Sequence, residues 1–175
     1  MNRIGLASGL VPAVASVDAS FTRPNDITAY AIGDVVCNST SAPVVMTFAR
    51  AAIEKGGGGI LVNVLLIDSA NVTTHGQFLL FLFDTAPGID ADNAPFTPTD
   101  AEMQTLVGIV DLGTAIDGDA AADAAGNCGY QNLGLNLVYV CGAAAQDLYG
   151  VLVAKNAYVP VAEETFAVRL QVMAR

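Results

Sequence analysis

Short apolar runs separated by clusters of turn residues set the rhythm of this chain. The runs are too short, and too rich in branched and aromatic residues, to read as helices. Eight of them read as strands: residues 27–37, broken at the Gly33-Asp34 turn pair, then 43–49, 60–67, 77–83, 106–112, 133–141, 148–155 and 165–173. The last alternates most cleanly. Phe166, Val168, Leu170 and Val172 share one face and Ala167, Arg169, Gln171 and Met173 the other, so one face is expected to be buried and one exposed. The run 60–67 is apolar apart from Asn63 and is expected to be buried on both faces. Residues 77–83 hold Phe78, Phe81 and Phe83, which places them at the centre of the core.

The segments between the runs are read by their turn and cap residues. Residues 84–100 form a long, acidic, proline-rich connection, and Thr97-Pro98-Thr99-Asp100-Ala101-Glu102 looks like the start of one short helix. Residues 117–129 are Ala, Gly and Asp almost throughout and read as a surface loop. Residues 1–26 are small and proline-punctuated and read as an extended N-terminal arm, leaving 27–175 as a single domain. None of the connections offers the helix of 10–15 residues that a parallel crossover needs, so the strands are expected to pair antiparallel. The expected fold is all-β: an antiparallel β-sandwich of jelly-roll type with about eight strands and at most one short helix.

Composition narrows the function classes. The chain has 175 residues, 53% apolar and only 14% charged, with 17 acidic against 7 basic side chains and a net charge of −10. Residues 56–154 contain no Lys or Arg, while they hold eleven carboxylates and His75. Such a stretch repels polyanions, which argues against nucleic acid and against anionic membrane surfaces as partners. The Gly56–Gly59 run has no adjoining basic residue or GxxxxGK[ST] pattern, so phosphate chemistry is not expected. No window of 18–20 apolar residues is present to cross a membrane as a helix. A mean hydropathy of +0.51 with so few charges points to a protein that works inside an assembly, its apolar surface covered by neighbours.

Candidate chemistry is sparse. Cys37, Cys128 and Cys141 are an odd number, carry no CxxC spacing and read as buried thiols. His75, the single histidine, lies in a polar turn and reads as a solvated loop residue. Asp84, Asp90 and Asp92, or Asp117, Asp119 and Asp123, are spaced so that a loop could wrap Ca²⁺, but neither set fits the EF-hand pattern. Their bland reading is as solvating charges, and no cofactor, metal or enzymatic activity is expected. Arg23, one of the few basic groups, is expected to pair with an acidic loop. Arg23, Pro24, Tyr30 and Asp34 are the candidate structural or interface positions at the arm junction. Positive charge remains only toward the arm and the C-terminal strands, so the molecule is expected to be polarised for docking.

Thr22-Arg23-Pro24-Asn25-Asp26, followed by Ala29-Tyr30-Ala31-Ile32-Gly33-Asp34-Val35-Val36, resembles the opening of a family of tailed-bacteriophage virion proteins. Phe81-Leu82-Phe83-Asp84 with Pro87, Asp92-Asn93-Ala94-Pro95-Phe96, Thr99-Asp100-Ala101-Glu102 and the segment 149–160 resemble the same family in order and spacing. The resemblance spans roughly residues 22–170. It implies a virion structural protein, a capsid decoration (cement) protein that binds the major capsid protein lattice, is often a homotrimer, and is assembled in the host cytoplasm. It carries over no catalytic residues. A tail- or fibre-associated carbohydrate-binding β-sandwich module is the alternative.

Overall fold

The computed structural model describes residues 13–70, 72, 74–117 and 128–174. Its strands are β1 (Ala13–Thr22), β2 (Val35–Val36), β3 (Met46–Phe48), β4 (Gly58–Asp68), β5 (Phe78–Phe83), β6 (Leu106–Asp111), β7 (Ile116–Asp117), β8 (Cys128–Val140), β9 (Leu148–Ala154) and β10 (Thr165–Ala174). One helix, α1 (Asp100–Met103), precedes β6.

Every strand pair is antiparallel. One sheet runs β1-β10-β4-β8-β7; the other runs β2-β9-β5-β6, with β3 continuing the β2 edge along β9. Taking β2 and β3 as one interrupted edge strand, and β7 as a short addition to β8, each sheet is four strands wide. First and last strands are neighbours, and successive strands alternate between sheets over most of the chain. This is the double Greek key of a jelly roll.

The core lies between the sheets. Leu61, Val64 and Leu66 of β4, Leu80 and Leu82 of β5, and Phe166, Val168, Leu170 and Val172 of β10 are fully buried there. Phe78 sits edge-on to Tyr130, Tyr158 and Phe166, with ring centroids 5.3–5.5 Å apart, so the phenylalanine-rich strand is central as its sequence predicts. The alternation predicted for residues 165–173 is observed.

Three expectations are corrected. Part of the arm belongs to the sandwich: residues 13–22 are β1, paired in register with β10 from Ala13↔Ala174 to Thr22↔Thr165. Its inward residues are Ala15, Val17, Ala19 and Phe21, mostly too small to stand out as an apolar run, although their period is two. Residues 1–12 lie outside the described residues. Residues 27–37 form only the short β2 and two isolated bridges, Tyr30↔Tyr158 and Asp34↔Pro95, because the chain turns at Gly33, whose φ of +93° suits glycine. Strand β4 buries one face rather than both: Ile60, Leu65 and Ile67 point outward between the buried Leu61, Val64, Leu66 and Asp68. A buried second face would need helices over the sheet, and there are none there among the described residues.

The short helix starts where predicted. Thr99 Oγ1 accepts from the Glu102 amide at 3.3 Å, and the Glu102 carboxylate returns to the Thr99 amide at 2.7 Å, a capping box. The same carboxylate accepts from the Gly88 amide at 2.6 Å and so fastens the acidic connection to the helix. Thr99→Ala is expected to cost about 1 kcal/mol, seen as a lower urea midpoint with an unchanged slope.

Candidate functional site

The four positions singled out at the arm junction converge. Arg23 follows β1 directly and is buried with Asp92 of the β5–α1 connection, Nη2 to Oδ2 at 3.0 Å. Arg23 Nε donates to the Tyr30 hydroxyl, which in turn donates to Asp92 Oδ1 at 2.6 Å. The Cys37 amide donates to the same oxygen at 2.8 Å. The Pro24 carbonyl accepts from the Asp26 and Glu163 amides at 2.9 and 3.2 Å. Asp34 closes its turn by accepting from the Ala31 amide at 2.6 Å.

Burial opposes the Arg23 charge, but Tyr30 and Asp92 outweigh it and hold its pKa above the ordinary value. Burial also pushes the Tyr30 hydroxyl far up and the Cys37 thiol to about 11. Glu164 lies 3.9 Å from Arg23 Nη1, long for an ion pair. Burial, then its hydrogen bond to Asp68, raises the Glu164 carboxyl well above the usual carboxylate range. At 3.0 Å, Asp92 is the closer counter-ion of Arg23. Arg23 pairs with an acidic connection, as its scarcity suggests, but the pair is internal. Arg23, Tyr30, Asp34 and Asp92 are buried and clamp the β1–β2 connection to the β5–α1 connection, while Pro24 is half-buried.

A second polar cluster lies at the end of β4. Asp68, His75 and Cys128 bring Asp68 Oδ2, His75 Nδ1 and Cys128 Sγ together: N to O 3.3 Å, S to N 3.2 Å and S to O 3.6 Å. Pairing of β4 with β8 sets Asp68 opposite Cys128, and the β4–β5 turn lays His75 over both. Asp68 Oδ1 is taken by the Ala70 amide at 2.7 Å. The set contains a thiol, an imidazole and a carboxylate but is not a nucleophilic triad. Such a relay puts the nucleophile on one ring nitrogen and the carboxylate on the other, whereas here both meet Nδ1, and Nε2 is buried without a hydrogen-bond partner.

The third feature is a surface. Cross-strand partners Val14, Met173, Ile60 and Val138 form one row across β1, β10, β4 and β8 on the outward face. The neighbouring row is Ser16, Gln171, Asn63 and Leu133. Val14 and Val138 are 75% and 70% exposed, and Leu133 and Val140 are 62% and 60% exposed. On this face of the four strands the charged side chains are Asp18 and Arg169, which neutralise each other at 2.8 Å. Lys155 is likewise paired with Asp111 at 2.5 Å. Of the expected positive docking end, Arg23 is internal and Lys155 and Arg169 are paired, while Arg3 and Arg175 lie outside the described residues.

No protein-family model and no curated protein matches this chain.

The remaining candidates separate. Asp90 caps Thr97 through its amide at 2.7 Å, Asp92 is internal and Asp84 accepts from Thr85 at 2.9 Å, so these three carboxylates have partners of their own. Of the other acidic set, Asp119 and Asp123 lie outside the described residues. Cys37, Cys128 and Cys141 are buried thiols with no disulfide among the described residues. His75 is not a solvated loop residue: its side chain is 5% exposed.

Proposed function

We propose that this chain is a virion structural protein, a capsid decoration or cement protein that seats the outward face of the β1-β10-β4-β8 sheet on the major capsid protein lattice. The observation that carries the reading is the uncharged row Val14, Met173, Ile60 and Val138 on a broad sheet face, exposed at Val14 and Val138 and half-buried at Met173 and Ile60. Contiguous apolar surface of this kind marks an interface. The resemblance of residues 22–170 to tailed-bacteriophage virion proteins selects the capsid as partner. Self-association as a homotrimer would multiply each contact through effective concentration. No catalytic role, membrane or nucleic-acid partner is assigned, and the site of action is the virion, assembled in the host cytoplasm. A carbohydrate-binding role gains no support, since it calls for exposed aromatic platforms and Tyr30, Tyr130, Tyr139 and Tyr158 are buried.

Val14→Lys combined with Val138→Lys should abolish most capsid binding. Losing the burial of two valines is worth roughly 3 kcal/mol, or about 100-fold in affinity. Co-sedimentation with emptied capsids of the encoding phage measures the loss, and an unchanged melting temperature shows that the fold is intact. Undiminished binding of the double variant, or a strict monomer that ignores emptied capsids, would overturn the proposal.

A further inference from the structure

We propose that Asp68, His75 and Cys128 bind one zinc-class divalent ion through Oδ2, Nδ1 and Sγ. The inference is independent of the capsid reading. A tetrahedral ion with bonds of about 2.3 Å to sulfur and about 2.0–2.1 Å to nitrogen and oxygen spaces its ligand atoms roughly 3.3–3.6 Å apart. The three observed separations are 3.2, 3.3 and 3.6 Å.

A single ion at the centre would meet all three donor atoms together.

The donor set selects the metal. One thiolate, one imidazole and one carboxylate suit a borderline ion such as Zn²⁺ and disfavour Ca²⁺ or Mg²⁺, which take oxygen ligands. Binding releases the Cys128 thiol proton to solvent, so one ion enters and one proton leaves. The dication then meets one thiolate and one carboxylate, and the buried site is neutral, which a low-dielectric interior favours. The fourth position falls to water.

The full chain, stripped with EDTA and titrated with Co²⁺, is expected to bind one equivalent. A thiolate-to-cobalt charge-transfer band should appear and then be bleached by Zn²⁺. Zinc should also raise the melting temperature by several degrees. His75→Ala should weaken binding at least ~100-fold, and Cys128→Ser should remove the charge-transfer band. Cys141→Ser, a buried thiol elsewhere, should leave both unchanged. A folded wild-type chain that takes up no stoichiometric Co²⁺ or Zn²⁺ overturns the proposal without recourse to any variant. So does a band that survives Cys128→Ser, or an affinity unmoved by His75→Ala.

Discussion

Asp92→Ala is expected to destabilise the fold by about 3–5 kcal/mol. The carboxylate accepts from Arg23, Tyr30 and the Cys37 amide in a fully buried position. Its removal strands a guanidinium and a backbone donor away from water, and an orphaned buried charge is the costly part of breaking such a pair. Urea denaturation followed by tyrosine fluorescence would read the loss. Arg23→Ala should be damaging for the same reason, and it should lower monomer stability and capsid binding together. Replacing Arg23 and Asp92 together by Met and Leu should recover much of the loss, because two matched apolar groups leave no charge behind. If Asp92→Ala falls within 1 kcal/mol of wild type, about the scatter of ordinary surface substitutions, the clamp contributes little.

Phe78→Ala should cost about 3–5 kcal/mol. The ring is fully buried and meets Tyr130, Tyr158 and Phe166 edge-on, so truncation removes apolar burial and three aromatic contacts and leaves a cavity bounded by both sheets. Those neighbours are held in place. Tyr130 is anchored by its hydroxyl to the Gly76 carbonyl at 2.7 Å, and Tyr158 is stacked on Tyr30 at 5.0 Å, so the site has little freedom to collapse. Phe78→Leu should cost less than half as much. Equal losses for Ala and Leu would mean that ring geometry, rather than volume, sets the energy.

Much of the sandwich was legible because apolar runs and turn residues report local periodicity. The clean alternation of residues 165–173 and the Thr99 cap are local signals of that kind. Strand β1 was not legible because alanine and serine carry its alternation, and small side chains give a weak hydrophobic contrast. The Arg23 clamp was half legible. Scarce positive charge in an acidic chain implies a partner, but the choice of Asp92 over Asp90 depends on which carboxylate the β5–α1 connection turns inward. The Asp68, His75 and Cys128 cluster left no spacing signal at all. Cys128 stands 53 residues from His75, and only the β4–β8 register places it there. Short-range metal motifs work when one turn supplies several ligands, and here each ligand comes from a different segment.

The pairing of β1 with β10 has a consequence for synthesis. Thr22 and Thr165 are hydrogen-bonded neighbours, yet 143 residues separate them. Strand β10 also lies between β1 and β4, so the centre of that sheet is the last part of the described chain to leave the ribosome. Until then β1 has no partner, and one edge of β4 stands open to pairing with another nascent chain. That sheet therefore completes only once β10 has emerged, and such long-range strand pairing is slow. Until β10 arrives, the open edge of β4 is the surface exposed to misassociation.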